Sequence, residues 1–186
     1  MGHPYPDIAL IGPPGSGKSE VSRRWGKRLG FSHALKEECA RALFAASGIT
    51  DPDHLAVEAF IQAQEETDKL KELYRPLWQW WGTEYRRAND KNYWVRQVER
   101  QIDEEKARDW DLLTKQPLAV DDCRFPNEYD LLKSRGFKFV RLHGGEHERN
   151  FVPHQSEHHW RDFPVDVSIQ YMQLDDIVPA IKEALA

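Results

Sequence analysis

Residues 12–19 read Gly-Pro-Pro-Gly-Ser-Gly-Lys-Ser, and they directly follow the apolar run Ile-Ala-Leu-Ile at residues 8–11. The octet matches the phosphate-binding pattern Gly-x-x-x-x-Gly-Lys-Ser/Thr at every fixed position. The apolar run is typical of a buried parallel strand, and residues 18–29 have the pattern of a helix that ends near Gly30. The sequence therefore predicts a strand, a phosphate-binding loop and a helix in immediate succession.

Each residue type in this loop has a chemical reason. Glycines let backbone amides turn inward around phosphate oxygens, and the N-terminus of the following helix adds a positive partial charge. Lys18 would reach the β- and γ-phosphates, and the Ser19 hydroxyl would ligate Mg²⁺. The alternative is an ordinary glycine and proline turn. We expect the loop to bind a nucleoside triphosphate through Gly12, Pro14, Gly15, Ser16, Gly17, Lys18 and Ser19.

Composition limits the classes of protein to consider. The chain has 186 residues, with 26 Lys and Arg against 31 Asp and Glu, for a formal net charge of −5. This length allows one domain, and the mild acidity argues against an extended surface for nucleic acid or anionic membrane. No apolar run reaches the length of a membrane span, and no leader pattern precedes the first strand. Cys39 and Cys123 lie far apart, which predicts free thiols in a cytoplasmic protein.

Strand and helix signals alternate along the chain. Further strand candidates lie at 118–122, 137–142 and 165–171, and amphipathic helices are predicted at 54–74, 94–113 and 174–185. This alternation is typical of an α/β fold with a mainly parallel sheet flanked by helices. The middle of the chain, about 53–113, has no strand signal. We expect it to form a helical excursion over the carboxyl edge of the sheet, where ligands bind in such folds.

A second functional signal follows the strand candidate at 118–122, where the chain reads Leu-Ala-Val-Asp-Asp-Cys-Arg-Phe-Pro-Asn-Glu up to residue 128. Asp121 and Asp122 would lie at the carboxyl edge of the sheet, where a carboxylate can hold Mg²⁺ or its water shell. Arg124 is placed to bind a phosphate with its planar fork. The alternatives are a solvated strand end for the two acids and a surface ion pair for the arginine.

The class of phosphate-binding protein can be narrowed. A GTPase would be expected to carry an Asn/Thr-Lys-x-Asp segment, but the closest string, at 114–117, has proline where the aspartate belongs. A small kinase needs a second, arginine-rich anion pocket, which the segment around Arg124 can supply. Two alternatives stay open, namely a kinase of another small acceptor and a nucleotide-dependent switch that binds a partner protein.

The motifs, in this order, resemble those of the bacteriophage deoxynucleoside monophosphate kinases, a branch of the P-loop nucleoside monophosphate kinases. The resemblance covers nearly the whole chain, and its most specific string is Asp-x-Arg-Phe-Pro-Asn-Glu at 122–128. The other matching segments are the loop at 12–19, Phe31…Leu35-Lys36, Leu77…Gly82-Thr83-Glu84 with the arginines after it, Tyr93-Trp94-Val95 and His154-x-Ser156-Glu157.

The resemblance implies a P-loop NTPase fold with a five-stranded parallel core, a helical excursion that binds the monophosphate, and a lid. It implies transfer of the γ-phosphoryl group of ATP, with Mg²⁺, to a (deoxy)nucleoside monophosphate, giving the diphosphate for DNA synthesis. The single kinase domain would have its core at about 5–52 and 114–186, its excursion at about 53–113 and its lid at about 143–164. We expect a small-molecule substrate in the host cytoplasm, no membrane or direct nucleic-acid partner, and a homodimer as an open alternative.

The resemblance also implies roles for individual residues. Catalytic roles are expected for Lys18, Asp122 and Arg124, and metal binding for Ser19, Asp121 and Asp122. Substrate binding is expected for Lys36, Trp78, Gln79, Glu84, Arg87, Arg124 and Glu128. Spacing leaves open which of Arg75, Arg86 and Arg87 binds the acceptor phosphate, with Arg87 and Arg124 preferred.

The aromatic block around Trp78 has two interpretations. Trp78 and Trp81 would share a helix face, which is most often core packing. The alternative is a stacking wall for the acceptor base, whose edge Gln79 or Glu84 would read.

A histidine-rich segment follows the strand candidate at 137–142. Five of the eight histidines lie within 143–159, some spaced four residues apart, as in helical zinc sites. Glycines and a proline within the segment argue against a regular helix there. We therefore expect a polar lid rather than a metal site, with Arg149 as the one arginine of residues 143–159.

Overall fold

The computed structural model describes residues 5–108, 115–143, 159–170 and 173–186. Its strands are β1 (Ile8–Ile11), β2 (Lys27–Leu29), β3 (Leu118–Val120), β4 (Lys138–Leu142) and β5 (Val167–Ile169). Its helices are α1 (Lys18–Trp25), α2 (Phe31–Ala46), α3 (His54–Glu65), α4 (Asp68–Gln79), a π-helix (Trp80–Arg87), α5 (Tyr93–Ala107), α6 (Pro126–Ser134), a 3₁₀ turn (His159–Asp162) and α7 (Leu174–Ala184).

The described strands form one sheet in the order β2-β3-β1-β4-β5, and each neighbouring pair is parallel. This confirms the expected α/β fold with a five-stranded parallel sheet flanked by helices. The chain passes from β1 to β2, returns to β3 beside β1, and then crosses to β4 on the other side. The direction of strand addition therefore reverses between β1 and β3.

The chain divides into two compact units, residues 1–30 with 99–186, and residues 31–98. The first unit contains the sheet, α1, α6 and α7. The second contains α2, α3, α4, the π-helix and the start of α5. The expected excursion at about 53–113 overlaps the second unit, which also includes α2.

The core of the first unit lies on both faces of the sheet. On one face, Ile8 and Leu142 pack with Val21 of α1 and Ile181 of α7, and each is almost fully buried. On the other face, the rings of Tyr129 in α6 and Phe139 in β4 are 4.3 Å apart. Burial of one such aliphatic side chain contributes roughly 1.5–3 kcal/mol, so both helix layers stabilise the sheet.

The second unit is an assembly of helices with its own small core. Ala40 of α2 packs against Val57 and Ile61 of α3, all three buried. Asp53 caps α3 by accepting a hydrogen bond from the amide of Ala56 at 2.7 Å. Such side-chain caps satisfy amides that have no partner within the helix.

The first predicted helix is shorter in the structure than the sequence indicates. The helix expected over 18–29 ends at Trp25, and residues 27–29 form β2 instead. A side chain at Gly26 would place its Cβ 2.1 Å from the Pro117 carbonyl, and the amide of Lys27 donates to that same oxygen at 2.9 Å. The chain therefore leaves the helix at a glycine and pairs with the segment leading into β3.

The helix expected over 54–74 is divided into α3 and α4, because Thr67 begins a new helix by accepting from the amide of Leu70 at 3.2 Å. The helix expected over 94–113 ends at Ala107 as α5, and residues 109–114 lie outside the described ranges.

Candidate functional site

The loop between β1 and α1 has the backbone shape that its glycines predict. Gly15 and Gly17 adopt φ angles of +81° and +85°, in the left-handed region that side chains disfavour. Gly12 lies against β4, where a Cβ would come within 2.4 Å of the Leu142 carbonyl oxygen. Glycine is thus required at 15 and 17 by the backbone conformation and at 12 by the close approach of β4.

Lys18, the first residue of α1, extends over this loop. Its ammonium group donates to the carbonyl oxygens of Gly12 and Pro13, at 2.8 and 2.7 Å, and lies 3.4 Å from the Ser16 hydroxyl. These partners come from the beginning and the middle of the loop. The positive charge is therefore held over the loop, where phosphate oxygens would bind.

The loop lies at the point where strand addition reverses. It follows β1, and the acidic segment that begins at Asp121 follows β3, the neighbour of β1. Parallel strands put their carboxyl ends at one edge of the sheet, and ligands bind at such reversal points. The structure thus brings together the two motifs that the sequence singled out, although they are about a hundred residues apart.

The two adjacent acids of this segment have different surroundings. The side chain of Asp121 is 2% exposed, and both of its oxygens accept from Nε of Arg28, at 3.2 and 3.1 Å. The carboxylate of Asp122 is partly exposed and lies close to the backbone at Gly30, where a Cβ would be 2.9 Å from Oδ2. Asp122 is therefore the more accessible oxygen donor of the pair.

The residues around the loop fit a hard divalent cation. The Ser19 hydroxyl is on an exposed residue in the first turn of α1, and Asp122 supplies a carboxylate at the same edge of the sheet. Oxygen ligands of this kind are those that Mg²⁺ prefers, and the phosphates of a bound nucleotide would provide more. Asp121 fits this role less well because Arg28 already holds both of its oxygens.

Glu128 shapes the turn that contains Arg124. It is 2% exposed, and its Oε2 accepts from the backbone amides of Arg124 and Phe125, at 2.7 and 3.1 Å. This satisfies two amides at the start of α6 and holds the backbone of Arg124 in place. The expected substrate contact of Glu128 remains a prediction, and its observed contacts are with the backbone.

Cys123, between the acids and Arg124, is buried. Burial raises the pKa of its thiol well above the ordinary value, and the nearby Glu128 and Asp122 carboxylates raise it further. A thiol in this setting stays protonated at neutral pH and is unreactive. It therefore has a packing role in the turn.

In the second unit, Lys36 of α2 forms an ion pair with Glu65 of α3, and its ammonium lies 4.6 Å from the centre of the Trp78 ring. The Lys36 side chain is 15% exposed. Trp78 in turn stacks on Tyr74, with ring centres 5.9 Å apart and planes at 22°. Lys36 and Trp78, both expected in the acceptor site, are thus in direct contact.

Glu38 is a site residue that sequence reasoning missed. Its carboxylate accepts from Trp81 Nε1 at 2.9 Å, from Arg86 Nε at 2.6 Å and from the hydroxyl of Tyr93. Burial, followed by this hydrogen bond, raises the pKa of Tyr93, so the phenol stays protonated as a donor. The partners lie 43 to 55 residues further along the chain, so no local pattern indicates the cluster.

The segment that carries Trp81 and Arg86 is a π-helix, a rare form that is frequent at functional sites. Gly82 allows it to approach α2, since a Cβ there would be 2.1 Å from Leu35 Cδ1. The carbonyl of Gly82 accepts from Trp94 Nε1 at 3.0 Å. Trp81 and Trp78 therefore belong to different side-chain groups, one around Glu38 and one around Lys36.

The remaining predicted residues of this unit have less specific surroundings. Gln79 ends α4 and is partly exposed, and Glu84 is exposed on the π-helix. Arg87 donates from Nη1 to the Lys91 carbonyl at 3.3 Å, and Arg75 is exposed on α4. Their positions on α4 and the π-helix do not by themselves indicate a ligand.

A cavity of about 460 Å³ lies at the opposite edge of the sheet. It is lined by Asp7, Lys27 and Leu118, next to or within the amino ends of β1, β2 and β3. The loop over residues 12–19 is at the carboxyl edge, so this cavity is separate from the candidate site.

Other predictions concern residues beyond the described ranges. Arg149 and most of the expected lid at 143–164 lie outside them, as do the histidines between 147 and 158. Across the described ranges, no group of three His, Cys, Asp or Glu side chains could hold a metal ion by itself. In the same ranges, no helix has the length and apolar character needed to cross a membrane.

Comparison with models of protein families found no match to this chain, and comparison with curated proteins found none either.

Proposed function

We propose that this chain is a P-loop kinase that transfers the γ-phosphoryl group of ATP to a deoxynucleoside monophosphate and releases ADP and the diphosphate. The observation that carries the proposal is the arrangement at the carboxyl ends of β1 and β3. There, the glycine loop with Lys18 lies over the edge of the sheet, beside the segment that carries Asp122 and Arg124.

The donor half of the proposal rests on Lys18 and the loop. The ammonium already lies over the loop, 2.8 and 2.7 Å from two of its carbonyl oxygens. When ATP binds, these contacts can be exchanged for phosphate oxygens without a large movement of the side chain. Bound Mg²⁺ would neutralise charge on the phosphates, with Ser19 and Asp122 as its expected protein ligands.

The acceptor half rests on arginine and lysine side chains with aromatic neighbours. In the first unit, the Glu128 carboxylate holds the backbone of Arg124; in the second unit, the Lys36 ammonium lies over the Trp78 ring. In the reaction, an oxygen of the acceptor phosphate bonds to the γ-phosphorus while the bond to the ADP oxygen breaks. The acceptor phosphate is already an anion, so positioning and charge neutralisation matter more than a general base.

The proposal is tested by supplying ATP and Mg²⁺ with each deoxynucleoside and ribonucleoside monophosphate, and by measuring ADP and diphosphate separately. We expect stoichiometric formation of both products with at least one deoxynucleoside monophosphate. ATP binding without transfer to any monophosphate would overturn the kinase proposal and favour a nucleotide-dependent switch. ADP formation without diphosphate would indicate an ATPase.

A further inference from the structure

Arg86 is held by a hydrogen bond at one edge and by aromatic rings at its faces. Its Nε donates to Glu38 Oε1 at 2.6 Å, and its guanidinium carbon lies 4.8 Å from the centre of the Tyr93 ring and 4.9 Å from that of Tyr85. Contact with two rings and a charged hydrogen bond together fix both the position and the plane of the guanidinium group.

Within the described ranges, no hydrogen bond involves the terminal amino groups of this guanidinium. Among the described residues, only Glu38 accepts a hydrogen bond from Arg86, and it does so from Nε. The side chain is 33% exposed, so Nη1 and Nη2 can reach a ligand. Two parallel N–H donors in a fixed plane match the oxygen spacing of a phosphate.

Glu38 is itself held too firmly to release Arg86. Trp81 and Tyr93 donate to its two oxygens, and its side chain is 23% exposed. Three donors from the π-helix and the first turn of α5 therefore converge on one carboxylate of α2. The arrangement orders the arginine before any ligand binds, which removes part of the entropic cost of binding.

Other arginines of the second unit lack this combination. Arg75 is exposed and, in the described part of the chain, has no partner to orient it. Arg87 donates from Nη1 to a backbone carbonyl, and Arg41 already pairs with Glu37 through Nε and Nη2. Arg96 pairs with Asp90 through Nη1 and Nη2. Of the five arginines in the second unit, Arg86 is the one whose guanidinium has a fixed plane and terminal N–H groups that can bind a ligand.

We propose that Arg86 binds the phosphate of the acceptor nucleotide and that Glu38 is the positioning residue that holds it. This deepens the proposed function and rests on it for the identity of the ligand. Arg86 takes the role that the sequence analysis assigned to Arg87 in the second unit. A lysine at position 86 would keep the charge but lose the hydrogen bond from Nε and the planar fork.

The test measures binding by calorimetry without ATP, so that it does not depend on catalysis. Each of the four deoxynucleoside monophosphates and its matching deoxynucleoside is titrated into the full chain and into Arg86→Lys and Glu38→Gln. The matched control is Arg75→Lys, an arginine of the same unit with nothing to position it. Far-UV circular dichroism and thermal melting establish that each variant is folded.

We expect the full chain to bind at least one monophosphate at least tenfold more tightly than its nucleoside. Arg86→Lys should reduce monophosphate affinity about tenfold and leave nucleoside affinity unchanged, while Arg75→Lys should change neither. Glu38→Gln should cause a smaller loss of the same kind, because an amide oxygen in the place of Oε1 can still accept from Trp81 and Arg86 but carries no negative charge. The amide NH2 in the place of Oε2 can donate to the Tyr93 hydroxyl instead of accepting from it. If Arg86→Lys does not fold, Arg86→Gln serves for the same comparison.

A double variant tests whether Glu38 acts through Arg86. Combined with Arg86→Lys, Glu38→Gln should cause no further loss of monophosphate affinity, whereas two independent effects would multiply. Independent effects would overturn the positioning role of Glu38. Unchanged monophosphate affinity in folded Arg86→Lys would overturn the role of Arg86.

The outcomes separate this inference from the proposed function. Transfer activity that is insensitive to Arg86→Lys would leave the kinase proposal standing and overturn the inference. Arg86-dependent monophosphate binding without transfer to any monophosphate would support the inference and overturn the kinase proposal. If the full chain neither binds nor phosphorylates any monophosphate, both are wrong.

Discussion

Arg28 of β2 and Asp121, the residue after β3, form an ion pair in which both carboxylate oxygens are used. Nε of Arg28 lies 3.2 and 3.1 Å from the two oxygens, and Nη2 lies 3.1 Å from Oδ2. The Asp121 side chain is 2% exposed and that of Arg28 is 37% exposed. A partly exposed cation thus compensates a buried anion near the loop over residues 12–19. Asp122 is therefore a stronger candidate than Asp121 for a ligand of Mg²⁺.

Arg28→Ala should lower the free energy of unfolding by about 1–3 kcal/mol, because it leaves the buried Asp121 carboxylate without its partner. Urea unfolding measures this. The control is Arg23→Ala, whose ion pair with Glu20 is at the surface and whose side chain is 60% exposed. Its effect should stay below about 0.5 kcal/mol. Equal losses in both variants would contradict the special role of Arg28.

Lys18→Ala should reduce the transfer rate roughly 100-fold or more while the fold is retained, because it removes the ammonium group held over the loop, which would stabilise the transferring group. Single-turnover kinetics with saturating ATP measures the rate, and Lys27→Ala on the exposed part of β2 is the control. Near-normal turnover in Lys18→Ala would contradict a catalytic role for Lys18 and its loop.

Arg124→Lys should raise the monophosphate KM or lower kcat by roughly tenfold and spare ATP affinity, because lysine keeps the charge but loses the planar fork. Steady-state kinetics with each substrate varied in turn separates the two effects. Arg23→Lys is the control for a surface arginine. An equal loss of ATP affinity would place Arg124 on the donor side.

Gly82→Ala should destabilise the protein by roughly 1–3 kcal/mol, because the new methyl group would overlap Leu35 Cδ1, 2.1 Å away. Thermal melting measures the loss. Leu35→Ala in combination with Gly82→Ala removes the overlapping atom and should cost less than the sum of the two single variants. Strict additivity would mean that the two positions do not meet in solution.

Deoxynucleoside monophosphates should be better substrates than the matching ribonucleotides by about tenfold to a hundredfold in kcat/KM. A side chain packed where the 2′-hydroxyl would lie leaves that group buried and unpaired, at a cost of roughly 1–3 kcal/mol. Competition between the two forms in one reaction measures the ratio directly. Equal rates would remove the deoxy preference and leave the kinase proposal in place.

Part of the fold could be predicted because its signals are local. The loop at 12–19 depends on backbone freedom at Gly15 and Gly17 and on the apolar strand before it. These features lie in consecutive residues, so the sequence pattern is sufficient to predict them. Strand β2 was missed for a related reason. It is only three residues long, and Lys27 and Arg28 are exposed, so it lacks the apolar pattern of a buried strand.

The candidate site was predicted in its motifs but not in its contacts. Asp121 and Asp122 are adjacent and chemically equivalent in sequence, and only the pairing of β2 with β3 places Arg28 on one of them. Similarly, spacing left open which of Arg75, Arg86 and Arg87 binds the acceptor phosphate, with Arg87 preferred, and only the structure shows that Glu38 contacts Arg86.

The amino-acid sequence by itself determined the glycine loop at 12–19, the parallel α/β class and the motif around Arg124, because each depends on neighbouring residues or on simple alternation. Only the tertiary structure decided the strand order, the partner of Asp121 and the setting of Arg86. The last two depend on contacts between residues 93 and 48 positions apart, and such contacts follow from how whole elements pack. The partner of a charged side chain is the group that lies near it in the folded chain. Its contacts therefore cannot be predicted before the packing of distant elements is known.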